Sequence, residues 1–185
     1  MKLLLTGASG FVGSNFIAKW HQKYQITAIV RPSSEHKIPK NSCKIFVYDG
    51  EIESLIALFE KEHFDGIIHL ATCYYPNPKP KEITAMMEAN ITLGTQILEA
   101  MRVSPPKFFI NTLTFTQYAN APTYKPANLY SATKQAFFSI LENLRLETLK
   151  SENTPLKEPK TELLSNIPSP PPPPPPPPPH NFYSQ

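Results

Sequence analysis

The sequence predicts an α/β fold: a doubly wound parallel sheet of five strands, order 3-2-1-4-5, with helices on both faces, incomplete, and followed by a disordered proline-rich tail. Three observations predict it. Short apolar runs alternate with segments of helical period through residues 1–150, the pattern of strand-helix-strand units that build parallel sheets. The first run, Leu3-Leu4-Leu5, passes directly into the glycine-rich turn Thr6-Gly7-Ala8-Ser9-Gly10-Phe11-Val12-Gly13 and then into an amphipathic segment. Thirteen of the 22 prolines fall in residues 151–185, which divides the chain into a domain, 1–150, and a tail, 151–185, from which no core can be built.

Composition removes several classes. Residues 1–150 carry 16 Lys+Arg against 12 Asp+Glu, a net +4, and the tail is −1, which sums to the overall +3. No basic cluster with interleaved aromatics is present, so nucleic-acid binding has no support. No apolar run approaches membrane-spanning length, and the leucines near Met1 stop after three residues, too soon for a signal core. Cys43 and Cys73 have no metal-ligand spacing. We therefore expect a cytoplasmic protein with no metal site.

Within the first turn, Gly7 supplies the tight bend, Gly10 lets the backbone approach a pyrophosphate, and Gly13 lets the helix sit close on the sheet. The unpaired amides at the helix start, around Phe11 and Val12, then hold the phosphate charge. The helix that follows is expected to bury a stripe of Val12, Phe16, Ile17 and Trp20. A second strand, Gln25–Val30, ends in Arg31-Pro32-Ser33-Ser34. In a dinucleotide fold an acid at this point accepts from the ribose 2′-OH, and an arginine accommodates a 2′-phosphate. Arg31 is present and no acid precedes Glu35, which favours NADP over NAD; the alternative is a solvated surface arginine.

A third strand fits Lys44–Tyr48, followed by Asp49-Gly50 and a helix from about Ile52 to Glu62. Asp49 at a strand-to-helix turn also suits a helix cap. Residues 64–72 read as a fourth strand apolar on both faces, with His69 inside it as a satisfied core histidine. The loop Cys73–Pro80 is aromatic and stiffened by proline. The next helix places Ile83, Met87, Asn90, Gly94, Ile97, Leu98 and Met101 on one stripe, so Asn90 on that face requires a hydrogen-bond partner. A fifth strand, Lys107–Asn111, runs into Thr112-Leu113-Thr114-Phe115-Thr116-Gln117-Tyr118. A helix opening near Asn128 carries Tyr130 and Lys134 one turn apart on one face, with Phe137, Ile140, Leu141 and Leu144 as its apolar stripe. A free tyrosine ionises near pH 10, and a cation one turn away favours the phenolate, which suits it to proton transfer beside a hydride transfer.

Taken in order, the glycine loop, Arg31, Asp49, Leu70-Ala71-Thr72, Asn90, Thr114 and the Tyr130/Lys134 pair resemble the extended short-chain dehydrogenases/reductases, in their NAD(P)-dependent epimerase/dehydratase branch. The resemblance covers essentially all of residues 1–150 and implies a Rossmann-like fold. It also implies that Asp49 lies near an adenine, that Leu70, Ala71 and Thr72 face the cofactor, and that Asn90 joins the active-site hydrogen bonds. Thr114 would be the carbonyl-orienting donor, with Thr112 and Thr116 as substitutes. Tyr130 would be the acid/base and Lys134 its activator and ribose anchor. A nucleotide-sugar substrate and a homodimer through the helices over 83–101 and from 129 onward are implied as well.

Two strings, Gly66–Thr72 and Phe109–Thr112, look like bacterial CDP-sugar 4-reductases of the abequose-synthase type, which serve surface-polysaccharide synthesis. Nucleotide-sugar epimerases and 4,6-dehydratases share every catalytic residue named, so the choice stays open. In that family the chain continues into a sugar-binding lobe. Here Pro170–Pro179 is a decaproline, a polyproline II rod. We expect a C-terminal truncation by frameshift, the alternative being a proline-rich interaction module on a non-catalytic cofactor-binding remnant.

Overall fold

The computed structural model describes residues 1–39, 41–119 and 121–151, with side chains to residue 147; residues 152–185, and with them the expected tail and its decaproline, lie outside the described residues. Five strands, β1 (Lys2–Thr6), β2 (Gln25–Val30), β3 (Lys44–Val47), β4 (Gly66–His69) and β5 (Phe108–Asn111), form one sheet in the order β3-β2-β1-β4-β5. Every pair is parallel; Leu3 sits between Ile26 and Gly66, and Gly66 faces Phe108. The order and direction are those read from the sequence. Met1–Thr148 form one compact unit.

Period-two alternation divides the apolar strand residues between two cores. Leu3, Leu5, Ile26, Ala28, Val30 and Ile68 meet Ile17 of α1 (Phe11–Trp20) on one face. Leu4, Ile29 and Ile67 meet Leu55, Leu58 and Phe59 of α2 (Ile52–Glu62), and Ile97 and Ala100 of α4 (Leu93–Ala100), on the other. Leu3, Leu4 and Leu5 are all at most 1% exposed, each worth about 1.5–3 kcal/mol of burial. This makes β1 the centre of the sheet. The long helix α5 (Leu129–Ser151) adds Phe137, which is fully buried and packs on His69 with ring centroids 5.1 Å apart.

Three local expectations need correction. Val12 is not in the α1 stripe: it is 61% exposed, because the first turn of α1 overhangs the end of the sheet. The fourth strand is shorter than 64–72; after His69 the amides of Leu70 and Ala71 turn to the Thr6 hydroxyl at 3.1 and 3.0 Å instead of a neighbouring strand. The helix over 83–101 is not one α-helix. It runs as α3 (Pro80–Met87), a π turn (Glu88–Thr92) and α4. The wider turn shifts the phase of everything before it, so Met86 is fully buried while Met87 and Ile83 are 37% and 38% exposed.

Candidate active site

The carboxyl ends of β1, β2 and β4 open onto a cleft of about 720 Å³. The chain leaves β1 toward β2 on one side and reaches β4 on the other, and such a switch point is where open α/β sheets receive ligands. The floor of the cleft is the glycine turn. Gly7 has φ +69° and its carbonyl accepts from Gly10 N at 3.0 Å. A Cβ on Gly7 would lie 2.6 Å from the Leu70 carbonyl carbon, and one on Gly13 would lie 2.3 Å from Gly7 O. Neither position has room for a side chain. Gly10 differs, since its Cβ would meet only Gly7 O at 3.3 Å, and the space beside it belongs to the cleft. Phe11 and Val12 line that space, at the start of a helix with no acidic residue in its first turn and no side-chain cap. Its dipole and amides are left for an anion. The turn thus has the form of a pyrophosphate cradle, which fits a dinucleotide.

Arg31, at the end of β2, lines the same cleft, as do Leu70, Ala71 and Thr72 after β4. Four predicted cofactor residues do not: Asp49, Asn90, Tyr130 and Lys134. Asp49 is turned to the entrance of α2, where its carboxylate accepts from Glu51 N at 3.0 Å and Ser54 Oγ at 2.7 Å; these bonds hold its pKa below the usual value. Its neighbours Tyr48 and Gly50 line the cleft in its place. Asn90, in the π turn, is buried behind the cleft wall and fully bonded. Its Oδ1 accepts from Cys73 N at 2.7 Å and Thr72 Oγ1 at 3.2 Å, and its Nδ2 donates to Cys73 O at 3.0 Å and Thr133 Oγ1 at 2.9 Å. Asn90 therefore pins the loop after β4 to α5.

The predicted catalytic residues stand beside the cleft and are not part of its lining. Tyr130 is half-buried in the first turn of α5, its ring edge-on to Tyr74 with centroids 4.9 Å apart. Tyr74 follows Cys73, which lines the cleft. Lys134 is 1% exposed, and its Nζ has no hydrogen-bond partner among the described residues; burial pushes its pKa down from the ordinary lysine value. Thr114 precedes a short turn, Phe115–Gln117, and its hydroxyl meets that of Thr116 at 2.8 Å. Thr116 Oγ1 in turn meets Ser131 Oγ at 2.8 Å, and Ser131 Oγ donates to Asn128 Oδ1 at 3.0 Å. That last donation orients the relay, so the Thr114 proton points inward to Thr116.

Sequence reading missed this relay and a second polar group. Asn128 three residues before Ser131, at the start of a helical pattern, is an N-cap signal that could have revealed part of the relay. Thr6 carried no such signal. Its hydroxyl accepts from Leu70 N and Ala71 N and meets His69 Nδ1 at 3.0 Å, tying the glycine turn to β4. His69 is buried as expected, but only half satisfied, because Nε2 has no partner among the described residues.

Residues 3–153 match the NAD dependent epimerase/dehydratase family. The chain belongs to that family. Among curated relatives of this chain, the CDP-abequose synthase of Salmonella muenchen is 31% identical over 165 residues, covering 82% of this chain and 54% of that protein. The chain thus spans about half the length of that relative. Among solved structures, the UDP-glucose 4-epimerase of Thermotoga maritima with UDP-glucose superposes with a TM-score of 0.70 at 21% identity, over 80% of this chain and 52% of that one. The UDP-glucuronic acid 4-epimerase of Bacillus cereus, in complex with UDP-glucuronic acid and NAD, gives 0.67 at 22%, over 84% and 54%. At those identities the structures establish the shared fold. Among the described residues no helix is long and apolar enough to cross a membrane, and no group of three or more metal-ligating side chains is present.

Proposed function

We propose that the cleft binds NADP and that the residues beside it act on a nucleotide-activated sugar, by 4-keto reduction or by epimerase/dehydratase chemistry, in surface-polysaccharide synthesis. The observation that carries the reading is the juxtaposition, on one cleft, of an open-sided Gly10 cradle and the cationic Arg31. Gly7, Gly10, Phe11, Val12 and Gly13 would hold the pyrophosphate, Arg31 a 2′-phosphate, and Leu70, Ala71 and Thr72 the nicotinamide half. Bound there, the nicotinamide supplies or accepts hydride.

The chain's own residues do the rest. Tyr130 gives a proton to, or takes one from, the sugar oxygen. Lys134, one turn along α5, favours the phenolate and anchors the ribose. Thr114 orients the carbonyl, releasing its proton from Thr116 to do so. Asn90 keeps the loop Cys73–Tyr75 and α5 in register. The likeness to CDP-abequose synthase supports a CDP-6-deoxy-4-keto sugar. A second copy packed on α3–α4 and α5 belongs to the same reading, as does a cytoplasmic location, because dinucleotides and nucleotide sugars are too highly charged to cross membranes. The chain covers about half of that relative's length, so turnover is proposed for the site and awaits assay.

The test is binding followed by chemistry. NADPH at a hundred times its dissociation constant should stabilise the chain by about 2.7 kcal/mol, and NADH at the same concentration by clearly less. Arg31→Ala should erase that preference. Tyr130→Phe should keep NADPH binding while lowering any sugar turnover by about 10²–10⁴-fold. Equal NADH and NADPH binding, untouched by Arg31→Ala, removes the NADP assignment; binding with no turnover on any nucleotide sugar favours a cofactor-binding module.

A further inference from the structure

Among the described residues that line the cleft, two carry charge, Arg31 and Glu88. Arg31 has a place in the proposed reading, as the partner of a phosphate. Glu88 has none, and an acid beside a ligand rich in phosphate calls for a donor that it can accept from. It is the first residue of the π turn, and among the described residues its carboxylate has no ion pair or hydrogen bond.

Its position says which part of a dinucleotide it meets. Tyr48, the residue after β3, stays alongside β2, its amide donating to Val30 O at 2.9 Å. The Tyr48 hydroxyl donates to Gln96 Oε1, and Gln96 Nε2 donates to Gly50 O at 3.3 Å. These bonds tie α4 to the end of the cleft beyond β3. Burial, then the charges of Asp49, Glu51 and Glu88, hold the Tyr48 hydroxyl above the ordinary tyrosine pKa, which puts Glu88 at this same end. In the order β1, β2, β3 the cleft thus offers the glycine turn, then Arg31, then Tyr48 with Glu88. A dinucleotide laid along it offers pyrophosphate, ribose and base in the same order. The Tyr48 ring, Ala89 and Leu93 line this end and give a flat purine apolar walls.

Donor chemistry then separates one purine from another. An ionised carboxylate only accepts. Adenine presents it with a 6-amine, a donor, whereas a 6-oxo purine presents a carbonyl oxygen that it repels. The hydroxyls of Ser34 and Thr92, also on the cleft, can give or take a proton and do not discriminate. Asp49 is turned to α2 and does not line the cleft. We propose that Glu88 is the specificity-determining residue for the cofactor base, its carboxylate accepting a hydrogen bond from the 6-amine of adenine. The assignment rests on the proposed dinucleotide reading of the cleft, and it moves the base contact from Asp49, where the family resemblance puts it, to the π turn.

The test is calorimetric titration of the full chain with NADPH, NADH and the hypoxanthine analogue of each, in which a carbonyl oxygen replaces the 6-amine. The unmodified chain should bind the adenine form about tenfold more tightly than the hypoxanthine form. Glu88→Gln, whose amide can accept from an amine or donate to a carbonyl, should bring that ratio to within about twofold of one, by tightening the hypoxanthine form. Glu88→Ala should lower the ratio by weakening the adenine form, and Asp49→Asn should leave it unchanged, each variant being shown folded by its thermal transition. A ratio near one in the unmodified chain overturns the assignment and leaves the cofactor reading intact. So does a Glu88→Gln variant that tightens both base forms equally, which marks an effect of charge alone. Equal weakening of both forms of NADH marks a contact to ribose and also overturns it, as does a ratio lost in Asp49→Asn but kept in Glu88→Gln. Failure of all four ligands to bind removes the cofactor reading, and this assignment with it.

Discussion

His69 shows how much one buried side chain can set. It is fully enclosed, shares a hydrogen bond with Thr6, and feels the Lys134 charge. Burial, reinforced by that charge, pushes its pKa from the ordinary 6.5 down to about 3. A base whose folded pKa lies below its unfolded one is neutral in the native state and gains a proton on unfolding. Its contribution to stability is therefore complete above about pH 6.5 and is lost as pH falls toward 3, by about 1.4 kcal/mol per unit. Between pH 6.5 and 5, above the range where carboxylates titrate, urea unfolding should show this slope, and His69→Gln should flatten it. A second contrast belongs at this scale. Gly13→Ala drives a Cβ to 2.3 Å from the Gly7 carbonyl oxygen and should cost several kcal/mol or abolish the cooperative transition. Gly10→Val should leave a folded protein that no longer binds NADPH, read as an unchanged melting curve with no ligand shift.

Among the elements, the helix interrupted by a π turn is the one whose form could not be read from period alone. A straight α-helix through Ile83, Met87, Asn90 and Gly94 is the natural reading of the spacing. The inserted turn makes Met86, Asn90 and Gly94 the inward line instead. This yields a sharp expectation: Met86→Ala should destabilise by about 2–5 kcal/mol, whereas Met87→Ala should stay within about 0.5 kcal/mol, both by denaturant midpoint. Gly94 in α4 has the complementary role. A Cβ there would lie 2.5 Å from the Phe137 ring, so the bare backbone of α4 is what lets α5 come close enough to seat Lys134. The turn also has a use at the site, because it carries Asn90 into position to hold Cys73 on one side and Thr133 on the other.

At the scale of the whole molecule, the described sheet ends in β5, and its outer side carries apolar surface. Ile110 is 50% exposed, and Leu113 and Phe115 just beyond it are 48% and 90% exposed. An edge of this kind pairs with other chains unless it is charged or covered. The full chain should therefore self-associate in a concentration-dependent way by light scattering, and Ile110→Lys, with little change in melting temperature, should reduce it. A chain that stays monomeric at high concentration without that change shows that the edge is already protected.

The order and direction of the strands, the glycine turn and the side of the sheet that carries the cleft were legible in the sequence, because each rests on local rules: apolar period, turn residues, and the fixed side of a parallel sheet on which ligands sit. Gly7 and Gly13 have separate tasks that the sequence alone assigns, since a tight turn and a helix contact each demand a missing side chain. The assignments that needed the tertiary structure were those decided by which polar groups meet across the fold. Asp49 turned to α2, Asn90 became a clamp behind the cleft, Thr114 gave its proton to a relay ending at Asn128, and His69 proved half satisfied. A hydrogen bond is directional and short, so its partner depends on ångström-scale placement of residues distant in the chain, here 63 positions apart for Thr6 and His69. Hydrophobic pattern tolerates such displacements and can be read from the sequence; hydrogen-bond pairing does not, and only the folded chain decided it.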